Sequence, residues 1–301
     1  MENVSLYNQG RSWVYPKLIL TMAFWGGTFI AARIAVQTME PFAAAFCRFA
    51  IASLCLVALT LRLEGKFPRL TSRQLPFLIL LGLSGIFAYN AFFFLGLQTV
   101  PASRAALIVA TNPVFIAIFS ALLLKEPLTR LKGMGIALSL TGVTVVISGG
   151  NPLALLAGDM GRGELYILGC VLSWVVYTLV GKRVMGELSP LITTTYSCLF
   201  GTLALLIVAL FRGFATDWTT FAPEAWMSVA YLGILGTATG FNWYYEGVLA
   251  IGSAKASVFI NLVPVFAIAL AALLLGESIT LPLVIGGALV ISGVYLTNCS
   301  R

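Results

Sequence analysis

Ten long apolar stretches, punctuated by short polar breaks, set the pattern of this chain. Residues 18–32, 74–103, 105–124, 133–158, 165–181, 188–211, 225–245, 256–276 and 278–300 contain no Lys, Arg, Asp or Glu, and residues 41–61 contain one, Arg48. Each is near the roughly 20 residues that a membrane-spanning helix needs. The runs are continuously apolar, whereas the strands of a membrane barrel alternate over about 10 residues, so helices are predicted throughout. The expected spans are 15–37, 41–62, 74–97, 102–124 and 130–149, then 164–182, 189–211, 224–246, 253–275 and 280–298.

The pattern occurs twice. Asn112-Pro113-Val114-Phe115 returns as Val263-Pro264-Val265-Phe266, 151 residues later, and the same shift carries Gly82 onto Gly233, Gly85 onto Gly236, Arg104 onto Lys255 and Glu126 onto Glu277. Earlier in each half the shift is 149, which matches Trp25 with Trp174, Arg33 with Lys182 and Pro41 with Pro190. A repeat of half the chain gives two units, 1–150 and 151–301, of five spans each. Because five is odd, the second unit enters the membrane from the other side. The expected fold is an all-α polytopic membrane protein with ten transmembrane helices as two inverted five-helix repeats, an architecture common among secondary transporters.

Composition narrows the class further. At 59% hydrophobic and 10% charged, with a mean hydropathy of +0.98, a 301-residue chain is not a water-soluble domain. The first 17 residues are mostly polar and run into the first span without a small-residue cleavage site, which reads as an uncleaved signal anchor. With the amino terminus placed in the cytoplasm, 13 of the 18 Lys and Arg residues fall on the cytoplasmic side. The positive-inside rule thus puts both termini in the cytoplasm, in a bacterial-type inner membrane. The net charge of +7 reflects orientation and calls for no nucleic-acid partner. Cys47, Cys55, Cys170, Cys198 and Cys299 show neither a disulfide framework nor metal spacing, and no cofactor is implied. The expected partners are a small-molecule substrate and the lipid bilayer, with the chain a monomer or weak homodimer.

Several motifs together carry a family resemblance: Trp25-Gly26-Gly27-Thr28-Phe29, Pro41 followed by Arg48-Phe49, Ala105-Ala106-Leu107 before Asn112-Pro113, and Leu124-Lys125-Glu126-Pro127-Leu128-Thr129 echoed by Leu275-Gly276-Glu277-Ser278-Ile279-Thr280. With ten spans and an internal repeat, the whole chain resembles the EamA-type members of the drug/metabolite transporter superfamily. Its aromatic richness is similar to that of the YddG-type exporters of aromatic and other amino acids. The resemblance implies transport by alternating access. Small multidrug exporters, more distant relatives, use a glutamate in their first span, and this chain has none there.

Candidate substrate contacts follow from polar and aromatic residues inside the spans. Trp25 and Trp174 occupy equivalent places, with Tyr177 one turn beyond Trp174. Tyr89, Asn90 and Phe93 cluster in the third span; Asn242 and Tyr245 lie within a similar cluster in the eighth. Each set reads either as cavity lining or as helix packing, since a membrane asparagine needs a partner on a neighbouring helix or in a wet cavity. Pro113 and Pro264 remove helix hydrogen bonds and free the carbonyls of Val109 and Ile260. They are candidate hinges, with Asn112 and Asn261 either satisfying the breaks or facing substrate. Among the charges, Arg48 reads as an anion contact, a gate or a structural arginine. Arg104 and Lys255 read as matched gates or as side chains snorkelling to the interface. Glu246, nine residues before Lys255, reads as its ion-pair partner. Gly135 and Gly142, with Gly286 and Gly293, place the fifth and tenth helices as packing elements away from the cavity.

There are no histidines, and no Asp or Glu lies in a charge-free core, so a proton relay has almost no material. No P-loop, carboxylate pair or serine-histidine arrangement is visible, and no enzymatic activity is expected. The reading is a facilitator or exporter of small amphipathic metabolites, chiefly large neutral amino acids. The alternatives are an exchanger of anions such as sugar phosphates or nucleotide sugars, which predicts that Arg48, Arg104 or Lys255 faces the cavity, and a membrane sensor or assembly subunit that binds without flux.

Overall fold

The computed structural model describes residues 2–65, 67–125, 127–151, 161–184, 188–214, 219–251 and 253–299; within these, the side chains of residues 2–12, 63, 182–184, 190, 245, 249, 253–255 and 299 lie outside the description. Helix α1 is Glu2–Ala35, α2 Pro41–Glu64, α3 Leu75–Leu97, α4 Ala102–Leu124 and α5 Arg130–Ile147. In the second half α6 is Arg162–Val184 and α7 Pro190–Phe211. Helix α8 joins Pro223–Tyr231, Leu232–Thr239 and Gly240–Ile251, α9 comprises Ser253–Phe259, Ile260–Leu262 and Val263–Leu275, and α10 is Leu281–Cys299. Among the described residues, nine of these are long and apolar enough to cross a membrane on length and composition, and α8 completes the ten.

Helix ends follow local chemistry. Glu40 caps α2, its carboxylate accepting from the N–H groups of Phe42 and Ala43 at 2.8 and 3.0 Å, with Pro41 in the first turn where its missing N–H costs nothing. Burial raises the Glu40 carboxyl above its ordinary range, and those two N–H groups and Arg212 oppose the shift. Helices α4 and α9 end at the repeat-matched positions Lys125 and Gly276, both left-handed, with φ of 56° and 65°.

The two halves are related by an approximate two-fold axis, and individual contacts show it. Ser53 of α2 and Thr202 of α7, matched by the 149-residue shift, hydrogen-bond each other at 3.0 Å, as only positions near such an axis can. A β-carbon on Gly135 would lie 2.6 Å from the Gly293 carbonyl, and one on Gly142 would lie 2.6 Å from the Gly286 carbonyl. The shift maps one of these pairs onto the other. These glycines let α5 and α10 cross with their backbones in contact, as small residues do in membranes.

The remaining helices also pair across the repeats. Gly82 of α3 sits against the Ser197 carbonyl of α7, and its counterpart Gly233 of α8 sits against the Arg48 carbonyl of α2; Ser197 and Arg48 are themselves matched positions. Each of α3 and α8 contains a widened π-helical segment, Gly82–Ala88 and Leu232–Thr239, at equivalent places. Such segments, rare elsewhere, collect at functional sites.

Candidate functional site: a one-sided aromatic cavity

Between the two halves lies a cavity of about 1170 Å³, walled by residues of all ten helices and reaching from Phe29, Phe93 and Ala106 to Pro127, Lys132 and Asn298. The second group lies beside the α4–α5 connection and the end of α10, on the side where both termini emerge. The first group lies toward the opposite side. The cavity therefore opens on the terminal side and is closed on the other.

Four charged side chains, two from each half, hold the α3–α4 connection on the closed side. Arg33 of α1 donates to the carbonyls of Leu97 and Val100 (3.1 Å to the latter), capping the end of α3. Glu277, just after α9, accepts from the N–H groups of Ala102 and Ser103 at 2.7 and 3.0 Å and from the Ser103 hydroxyl, capping the start of α4. Each charge complements the helix terminus that it meets. Arg104 of α4 pairs with Glu164 of α6 at 2.9 Å. Arg104 was expected to snorkel to the interface or to act as a gate; α6 brings it a carboxylate that lies 60 positions along the chain, and the pair sits at the closed side.

Most of the rings anticipated from sequence come together. Trp174 stacks on Tyr177 at 5.1 Å and meets Tyr89 at 5.5 Å; Tyr89 stacks on Phe93 at 6.0 Å, which meets Phe29 edge-on at 5.2 Å. A second group joins Trp25 to Tyr244 and Phe241, at 5.3 and 5.7 Å. All eight rings line the cavity. Phe29, Phe241 and Tyr244 were missed; Phe241 and Tyr244 belong to the cluster that pointed instead to Asn242 and Tyr245. Phe241 and Tyr244 lie three apart and so share one face of α8, and the rotation of the helix turns that face to the cavity.

Asn242 turns away from the cavity. Its amide donates to Glu246 at 3.1 Å, one turn on, and the other carboxylate oxygen of Glu246 pairs with Lys17 of α1 at 2.7 Å. Glu246 thus has partners in α1 and in its own helix; the expected pair with Lys255 and the candidate Tyr245 fall on side chains that lie outside the described residues. Lys17 and Glu246 are 36% and 44% exposed, so their pair contributes little to stability.

Asn90 is fully engaged. Its amide donates to the Ile86 carbonyl in the π-helical segment of α3 at 2.8 Å, and its oxygen accepts from Nη1 of Arg48 at 3.0 Å. Arg48 thus lies on the cavity wall, also contacting the Phe49 ring, while its Nε is buried without a partner. Among the described residues no Asp or Glu lines the cavity.

Pro113 and Pro264 lie in the first turn of renewed helical segments, after a turn at Ala110-Thr111 and a 3₁₀ turn at Ile260–Leu262. The chain breaks just before each proline, so no mid-helix hydrogen bond has to be removed. The Thr111 hydroxyl donates to the Ile108 carbonyl at this break. Asn112 and Asn261 do not satisfy it: both line the cavity, and Oδ1 of Asn112 is buried without a partner. Helices α5 and α10 pack as expected but are not remote from the cavity, because Lys132, Ile291, Val294 and Asn298 reach its mouth.

Known proteins share both the sequence and the fold. The EamA-like transporter family matches residues 12–148 and again 161–299, once per repeat. The chain belongs to this family. It is 31% identical over 286 residues to the uncharacterized transporter YyaM of Bacillus subtilis (strain 168), covering 95% of this chain and 93% of that one. It is 32% identical over 287 residues to the "Probable terminal-alkyne amino-acid exporter" of Streptantibioticus cattleyicolor, covering 93% and 92%. A solved crystal structure, 22% identical, superposes with a TM-score of 0.64 over 93% of this chain and 97% of its own, a likeness of fold. This EamA-like protein is an integral membrane transporter of the drug/metabolite transporter superfamily, built from inverted repeats.

Proposed function

We propose that this transporter moves small amphipathic metabolites, chiefly aromatic and other large neutral amino acids, out of a bacterial-type cell across the inner membrane by alternating access. The observation that carries the reading is the cavity: nine rings, Phe49 among them, and one deep cation, with no carboxylate among the described lining residues. Rings favour large apolar side chains, and a lone arginine suits a ligand with one carboxylate. The relative called an amino-acid exporter supports the same class.

The lysine and arginine bias puts both termini in the cytoplasm. The cavity then opens to the cytoplasm, the loading state of an exporter. The halves 1–150 and 151–301 are the two moving units, with Pro113 and Pro264 at the breaks that let α4 and α9 bend. One chain encloses the cavity, so a monomer suffices, and a weak homodimer is compatible. The absence of histidine from the sequence, with no carboxylate on the described wall, favours facilitated or exchange transport over proton coupling.

One observation favours the anion-exchange alternative: Arg48 faces the cavity. Against it, Arg104 is paired with Glu164, and the remaining lining cation, Lys132, is at the mouth. A doubly charged phosphate would have one deep cation to two charges.

The test is flux from preloaded proteoliposomes. Efflux of phenylalanine, tryptophan or leucine that an imposed pH gradient does not change supports the proposal. Flux confined to phosphorylated solutes replaces it with anion exchange, and binding without flux leaves a sensor.

A further inference from the structure

Among the described residues, three that line the cavity carry a buried, unpartnered polar atom: Ser120, whose Oγ lies near the terminal-side end of α4, and two deeper ones, Arg48 with Nε and Asn112 with Oδ1. The deeper two are chemical complements, since one carries a proton and a full positive charge and the other can only accept. A buried guanidinium edge without an acceptor is costly to hold empty, as is a buried amide oxygen without a donor.

Their depths fit one small ligand. Arg48 is seven residues from the closed-side end of α2 and Asn112 ten residues from that end of α4, so at 1.5 Å per residue they lie about 10 and about 15 Å deep. The Tyr89 and Trp174 rings lie at about 12 and about 18 Å on the same measure, beside and just beyond them. Asn90 is level with Arg48 and fixes Nη1, while its own amide is tied to the π-helical segment. The fork is therefore held through Nη1, with Nε left without a partner.

We propose that Arg48 and Asn112 form a head-group subsite for an α-amino acid: the Arg48 guanidinium takes the carboxylate, Oδ1 of Asn112 takes the ammonium, and the Tyr89–Trp174–Tyr177 stack takes the side chain. This rests on the amino-acid reading above and sharpens it, because it requires a carboxylate and ranks the ammonium second. A charged hydrogen bond to the carboxylate is the stronger contact; the neutral amide oxygen is the weaker. Asn90 is a positioning residue that acts through Arg48.

The experiment is a binding series on the full-length protein in nanodiscs, with L-phenylalanine, 3-phenylpropanoate, which lacks the ammonium, and 2-phenylethylamine, which lacks the carboxylate. The wild type is expected to bind them in that order, the amine at least about tenfold more weakly than phenylalanine because it meets an unbalanced cation. Arg48→Gln should lose about tenfold or more for both carboxylates and leave the amine unchanged or tighter; Arg48→Lys should fall between. Asn112→Leu should weaken phenylalanine several-fold and leave 3-phenylpropanoate within about twofold. Should Arg48→Gln not yield folded protein by size-exclusion chromatography, the wild-type order and Asn112→Leu still decide.

Binding of the amine as tightly as phenylalanine, or an unchanged phenylalanine affinity in Arg48→Gln, overturns the subsite. If no phenyl ligand binds while L-leucine does with the same dependence on Arg48, the aromatic preference fails and the subsite stands. Phenylalanine flux that persists without dependence on Arg48 does the reverse.

Discussion

The indole N–H of Trp25 donates to the carbonyl of Gly236 at 2.9 Å, inside the π-helical segment of α8. The matched residues of the other half, Trp174 and Gly85, do not repeat this bond. Tyr177 packs its ring on Gly85, so close that a β-carbon there would lie 2.2 Å from it, and Trp174 stacks on Tyr177 instead. The two halves thus share a sequence pattern and differ in conformation, as expected when an inverted-repeat transporter is captured open on one side.

Trp25→Phe removes that bond and should weaken the state that is open on the terminal side. A net hydrogen bond contributes about 0.5–1.5 kcal/mol, enough to shift a two-state population by about two- to tenfold. The check is labelling of Asn298→Cys at the cavity mouth by an impermeant maleimide in a cysteine-free background. The rate should fall with Trp25→Phe and hold or rise with Trp174→Phe, whose indole is expected to bond the Gly85 carbonyl in the opposite state.

Glu277 closes the other side by capping Ala102 and Ser103. Glu277→Ala should cost about 1.5–3 kcal/mol of that closure, since hydrogen bonds to a charged group are lost. Val100, 1% exposed behind this seal, is the reporter. A cysteine there should become reactive from the side opposite the termini; an unchanged rate would show that Arg33 and the Arg104–Glu164 pair suffice.

At the α5–α10 crossing, Gly142→Val should destabilise by about 1–3 kcal/mol, because its β-carbon would press on the Gly286 carbonyl, a backbone atom that cannot swing aside. Gly133→Ala, on the same helix with open space around it, should be neutral or stabilising by up to about 1 kcal/mol. Thermal unfolding in detergent should separate the two.

Lys125 holds the left-handed cap that Gly276 holds in the second half, at a φ of 56°. A β-carbon is disfavoured there by about 1 kcal/mol. Lys125→Gly should therefore raise the melting temperature slightly, whereas Gly276→Lys should lower it.

The sequence alone determined the ten spans, the doubling and the inversion, because burial in lipid forces long charge-free runs and an odd count turns the second copy over. It also named most of the rings and the prolines. Tertiary structure decided which side chains meet. Asn242 and Phe241 are adjacent in sequence, yet helix rotation sends one to Glu246 and the other to the cavity. Arg104 found Glu164 and Glu246 found Lys17 through helices far apart in the chain. Sequence offered Arg48, Asn90 and Asn112 alike as candidates, but Asn90 spends both ends on Arg48 and Ile86, whereas Arg48 and Asn112 each keep one buried atom without a partner. Repetition in sequence sets equivalent positions; which of two equivalent contacts forms depends on the side to which the cavity is open, and that is a property of the packed state.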